Sequence, residues 1–97
     1  MKPLLVRPEA EIDVFEAALW YEGERDGLGG EFLDAVREVL GHVQLAPLRF
    51  PIVSGGIHRA MLRRFPFGVF FVVDEEWSTI IAVMHLHRDP ASWERRR

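Results

Sequence analysis

IHRAMLRRFPFGVFFVVDEEWSTIIAVMHLHR, residues 57–88, decides the fold. Three runs rich in β-branched and aromatic residues, at 57–65, 69–74 and 79–88, are separated by Phe65-Pro66-Phe67-Gly68 and by the polar stretch 74–78. Side chains of this kind fit a pleated, half-buried surface, and the interruptions carry turn chemistry, so the segment predicts a three-stranded antiparallel meander. A meander with one apolar face needs a second layer to cover it.

That layer is legible upstream. Residues 31–46 are cleanly amphipathic: Phe32, Leu33, Ala35, Val36, Val39, Leu40, Val43 and Ala46 share one arc, with Glu31, Asp34, Arg37, Glu38, Gly41 and His42 opposite, and Pro47 ends the helix. Residues 9–24 lack glycine and proline apart from Gly23, and Glu9, Glu11 and Asp13 load the first turns with charge that suits the positive end of a helix dipole. On this first helix Ala10, Val14, Ala17, Ala18 and Tyr21 fall on one side, Ile12, Phe15 and Leu19 on an adjoining one, and Trp20 on the charged face with Glu9, Asp13 and Glu16. Gly23, Gly27, Gly29 and Gly30 mark a tight reversal between the two, giving an antiparallel helical hairpin. Leu4-Leu5-Val6 before Arg7-Pro8 reads as a short strand, and 46–56 (APLRFPIVSGG) as a linker. The expected fold is α+β: a short N-terminal strand, the helical hairpin and the meander, with both helices on one face of a small sheet. One domain is expected over 1–97, with 89–97 a basic, irregular tail.

Composition narrows the functions. At 97 residues, 48% apolar and 28% charged, the chain has the balance of an ordinary globular domain. It has no cysteine, which removes disulfides and thiolate metal sites and fits the cytoplasm. The start MKPLLVRPEAE turns acidic before a signal-peptide core can form, and the longest apolar runs are far too short to span a bilayer. Net charge is −3, yet residues 1–48 carry four Lys/Arg against ten Asp/Glu, and residues 49–97 carry eight against five. This asymmetry fits either a basic face for phosphates or two solvated surfaces. Gly27-Leu28-Gly29-Gly30 follows a helix and lacks a following lysine, so it is no phosphate-cradling loop. His85, His87 and Asp89 fall short of a metal site, and no cofactor is expected.

The order AALWYEGERDGLGGEFLDAV, PLRFPIV, GGIHRAMLRRFPFGVFFVV, IIAVMHLHRDPASW resembles the RelE/ParE family of type II toxins along nearly the whole chain. The specific pieces are Trp20-Tyr21-Glu22 with the Gly-Leu-Gly turn, the hairpin from Arg63 to Gly68, and the strand end from His85 to Pro90. The resemblance implies the same strand, helical hairpin and meander, and a partner antitoxin from an adjacent gene whose disordered segment folds on the toxin. It also implies one of two targets on one scaffold, DNA gyrase for ParE-like members or ribosome-bound mRNA for RelE-like ones; an inactive interaction module keeps the same pattern.

Residues must choose between them. Cleavage through a ribose 2′-hydroxyl needs a base, an acid and cations for the phosphorane. His85 and His87, two apart on one predicted strand at about 6 to 7 Å of rise, with Arg59, Arg63 and Arg88, would supply these. His85 also reads, and more simply, as a hydrogen-bonded histidine on a half-buried strand. Against cleavage stand the acidic net charge, a single lysine, Lys2, and a single tyrosine, Tyr21, in the first helix rather than near the C-terminus. The ParE-like, gyrase-directed reading is therefore preferred, with Arg59, Arg63, Arg64 and Arg88 as a target-facing patch. Trp20 and Trp77 are the candidate antitoxin anchors, although Trp20 fits equally a ring lying across its neighbours' methylenes.

Overall fold

The computed structural model describes residues 2–97. Its elements are β1 (Leu4–Val6), α1 (Pro8–Glu24), α2 (Leu28–Leu45), a 3-10 turn (Pro47–Arg49), β2 (Ile52–Ser54), β3 (Ile57–Met61), β4 (Phe67–Val73), β5 (Ser78–His85) and α3 (Ala91–Glu94). The five strands form one sheet in the order β1-β5-β4-β3-β2, with β1 parallel to β5 and every other pair antiparallel. The expected α+β architecture is observed, with the helical hairpin on one face of the sheet.

α2 presents Phe32, Val36, Val39 and Val43 to that face, where Ala60, Val69, Phe71, Ile80 and Val83 complete the core. α1 contributes mostly small side chains, Ala10 and Ala18. The two helices approach so closely that a Cβ on Gly29 would lie 2.6 Å from the Ala18 carbonyl oxygen. This contact requires glycine. Glu22 locks the corner, since its carboxylate accepts the N–H groups of Gly27 and Gly29, both at 2.9 Å, and so satisfies free donors at the start of α2.

Three expectations need correction. The linker is not all loop: Ile52–Ser54 forms an edge strand, joined to β3 by Gly55-Gly56, whose φ values of 43° and 81° fit a two-residue hairpin turn of the type that demands glycine. The first and third meander strands are shorter than expected, because the β3–β4 turn begins soon after Met61 and β5 ends at His85, whereas β4 starts at Phe67, inside the expected turn. The tail is not irregular. α3 places Trp93 on the face of the sheet opposite the helices, stacked on Phe70 at 4.4 Å and joined there by Ile57, Ile81, Ala82 and Met84. A bulge helps: Phe70 pairs with Ala82 and Phe71 with Ile80, which leaves Ile81 as the extra residue and lets both Ile81 and Ala82 serve this second core. Residues 89–97 thus cover apolar surface that the helical hairpin cannot reach.

The tail also closes an edge. β1 stops at Val6, opposite Ile80, so the rest of β5 has no strand on the side away from β4. Asp13 of α1 accepts the Val83 N–H at 2.9 Å and binds Arg96 at 2.7 Å and 3.2 Å, while Arg96 donates to the Ile81 carbonyl at 3.1 Å. Arg7 in turn donates to the Arg96 carbonyl. Side chains here stand in for the missing strand at the Ile81 carbonyl and the Val83 N–H.

Candidate functional site

The residues singled out for chemistry gather at one end of the sheet, where the β3–β4 turn meets the end of β5 and Leu86 N–H donates to the Pro66 carbonyl. Their side chains do not converge. Arg59 lies on the face opposite the helices, its methylenes 3.0 and 3.1 Å from where a Gly68 Cβ would stand, and its Nε is buried without a partner. Arg63 and Arg64 turn toward α2, to Glu38 at 3.9 Å and Glu31 at 3.4 Å. Arg64 holds a left-handed backbone, φ 68°, and its guanidinium sits 5.6 Å from the centre of the Phe65 ring. Both pairs are solvent-exposed and individually weak, but the two cations face carboxylates of their own chain. Arg88 instead lines a shallow depression of about 230 Å³ with Asp13, Glu16, Phe67, Val83 and His85.

The histidines depart from expectation as well. His85 is the last residue of β5 and His87 lies in the following turn, so they do not share a strand face. The chain folds back so that His87 N–H donates to His85 Nδ1 at 3.0 Å, with the ring centres 5.1 Å apart. Engagement of Nδ1 leaves Nε2 to carry the proton of the neutral His85 ring. His85 also packs edge-on against Phe67. Tyr21 is remote from any such role: it sits among Phe32, Phe65 and Phe67, and partial burial raises its phenol above the ordinary 10.0. His58, the remaining histidine of the strands, is a core residue stacked on Phe71, its Nδ1 2.8 Å from the Phe50 carbonyl. Among the described residues no three His, Asp or Glu side chains are grouped to hold a metal ion.

At 21% identity, the chain is similar to a chain of the "Chromosomal ParDE TA system from P. aeruginosa". The likeness spans 88% of this chain and 96% of that one, with a TM-score of 0.68. The shared feature is the fold. No family profile and no curated protein matches the sequence. Among the described residues no helix is long and apolar enough to cross a membrane.

The candidate partner anchors lie apart. Trp20 is exposed on α1, edge-on to Tyr21 and near the β3–β4 turn, whereas Trp77 stands in the β4–β5 turn at the other end of the sheet. In that turn Asp74 accepts the N–H groups of Trp77 and Glu76, which holds its carboxyl below the usual 3.8. Sequence reasoning overlooked a larger feature. Ile12, Phe15 and Leu19 are 56%, 64% and 58% exposed, beside Trp20 at 61%, so α1 carries an open apolar stripe. The signal was available: the alanine-lined side of α1 suits close packing on α2, and that contact turns the neighbouring large side chains outward.

Proposed function

We propose that the chain is the toxin of a type II toxin–antitoxin pair, ParE-like, acting in the cytoplasm on DNA gyrase and held inactive by an antitoxin from a neighbouring gene. The fold likeness over 88% of the chain supports the toxin scaffold. The observation that carries the choice of target is the dispersal of the would-be ribonuclease groups. His85 Nδ1 is spent on a backbone N–H, His87 leaves the strand, Tyr21 packs half-buried among phenylalanines, and Arg63 and Arg64 face glutamates. An RNA-cleaving centre needs base, acid and cations aimed at one phosphate. Protein recognition has no such requirement, and Arg59, Arg63, Arg64 and Arg88 serve in this reading as a target-facing patch around the end of the sheet.

One observation favours a second reading, a ribosome-dependent mRNA endonuclease: His85 and Arg88 share a depression with Glu16 and Asp13. Purified protein with gyrase and supercoiled plasmid, assayed beside programmed ribosomes, separates the two. Trapped gyrase–DNA complexes with intact mRNA are expected. Codon-specific cuts that disappear on His85→Ala would replace the gyrase reading with the nuclease one, and activity in neither assay would leave an interaction module on a toxin fold.

A further inference from the structure

We infer that the outer face of α1 is the docking surface for a cationic amphipathic helix of a partner protein. At 100° per residue, Ile12, Phe15 and Leu19 fall within about 60° of one another, which is a narrow seam of the kind one helix offers to another. Glu9 and Glu16 border the seam on one side and Glu11 on the other, with Trp20 beyond Glu16. All of these side chains are exposed. Pro8–Glu24 contains five glutamates and one aspartate and no lysine or arginine.

The fold does not account for this charge. Asp13 is bound by Arg96, and Glu22 is engaged with the start of α2. Glu9, Glu11 and Glu16 make no ion pair among the described residues, although the second half of the chain is rich in arginine. The helix dipole favours Glu9 and Glu11 in the first turn but not Glu16 two turns in. An apolar seam framed by uncompensated carboxylates is complementary to a helix with apolar residues on one stripe and Lys or Arg at its borders. A second copy docking seam to seam would set the same carboxylates against each other, because a two-fold contact repeats one patch on both sides. An anionic lipid surface or a nucleic acid would meet the same repulsion.

The inference deepens the toxin reading, on which it rests only in identifying the partner as the antitoxin, and it gives that antitoxin's ordering segment a basic border. Its test does not use toxicity. The full chain is titrated in a calorimeter with two synthetic helical peptides of about 18 residues. They carry the same Leu/Phe stripe, bordered by Arg and Lys in one and by Glu in the other. The cationic peptide is expected to bind at least about tenfold tighter, and more weakly as salt rises. Phe15→Ser with Leu19→Ser should cost a further factor of about ten; Glu9→Gln, Glu11→Gln and Glu16→Gln together should narrow the gap between the peptides. Leu45→Ser with Leu48→Ser, changing another exposed apolar pair, should leave binding unchanged.

Equal binding of both peptides, no binding, loss at Leu45 and Leu48 in place of Phe15 and Leu19, or a homodimer that Phe15→Ser dissociates would each overturn the inference. Binding as expected from a chain inactive on gyrase and ribosomes would retain the surface and remove the toxin. Gyrase poisoning by a chain that ignores both peptides would do the reverse.

Discussion

α1 and α2 are 17 and 18 residues long, lie antiparallel against each other and cover the same sheet, yet they use their apolar residues in opposite ways. α2 buries Phe32, Val36, Val39 and Val43 and turns its charges to solvent, where Asp34 meets Arg37 and Glu31 and Glu38 reach Arg64 and Arg63. α1 fully buries only Ala10 and Ala18 and leaves Ile12, Phe15, Leu19 and Trp20 in water. One helix is spent on folding. The other is held by small residues, by Val14 and Tyr21, by Asp13 and by Glu22, while the four large apolar side chains of its outer face contribute little to the native core. If that contrast is sound, substitutions in α2 should act on stability and substitutions on the outer face of α1 on binding.

The largest effect is expected in α2. Phe32 is fully buried and touches Tyr21, Phe65 and Phe67, so Phe32→Ala removes the centre of an aromatic cluster. Urea unfolding should show a loss of about 3–5 kcal/mol, a large share of what a domain of this size possesses. A loss below about 1 kcal/mol would mean that the cluster collapses without it and that α2 is not the anchoring helix.

Next comes Asp13, a polar side chain through which α1 holds the sheet. Asp13→Ala leaves the Val83 N–H and Arg96 without their carboxylate, in a site where the two side chains are only 13% and 21% exposed. The expected cost is about 2–3 kcal/mol, read by the same unfolding measurement. Hydrogen exchange should rise at Val83 and through α3 together, since both are fastened at this point. Faster exchange at Val83 with α3 unaffected would separate the edge from the tail.

The helix–helix contact gives a third test. Gly29→Ala should destabilise by roughly 1–3 kcal/mol despite alanine's better helix propensity, because the obstacle is the Ala18 carbonyl, a backbone atom. Gly30→Ala, with open space around its added methyl, should instead be neutral or stabilising by up to about 1 kcal/mol. A like response at both positions would show that the helices are not in close contact. Glu22 adds a pH dependence at the same corner. Hydrogen bonds from Gly27 and Gly29 lower its carboxyl below the ordinary 4.5. Its contribution is therefore present above that value and is lost as pH falls through the lower folded value. Glu22→Gln should flatten this acid limb by lowering the unfolding midpoint at neutral pH toward its acid value, because the amide offers one acceptor oxygen where the carboxylate offers two.

The contrast between the helices also explains what could be read in the sequence. Elements with a strong period were legible: the amphipathic arc of α2 and the three apolar strands placed the hairpin and the meander. β2 was missed because three residues give no period, although Gly55-Gly56 between Ile-Val-Ser and Ile-His-Arg was the turn signal. The tail was misread because its composition is polar and basic, while the feature that orders it is one ring: Trp93 meets Phe70 only once the sheet exists. Asp13 looked like a solvated charge for the same reason, since the N–H it accepts is 70 residues away. The candidate site was legible as a set of residue types near the end of a sheet. The directions of its side chains were not, because the turn at His87 and the pull of α2's glutamates on Arg63 and Arg64 are set by tertiary contacts.

The smallest effect on stability is the most informative one. Ile12, Phe15, Leu19 and Trp20 are more than half exposed, so replacing one of them by serine removes little buried surface. Phe15→Ser and Leu19→Ser should each change unfolding free energy by no more than about 0.5 kcal/mol, against several for Phe32→Ala in the neighbouring helix. Helix propensity alone accounts for a few tenths of that, since serine is a weaker helix former than leucine. The same two variants should lower the chain's retention on apolar media, because they dissolve the open stripe. A cost above about 2 kcal/mol at Phe15 would mean that the ring is covered in the native protein in solution, and the stripe would then belong to the core instead of to a partner. A near-zero cost with normal unfolding cooperativity would show that α1 holds four large apolar side chains its own fold does not use.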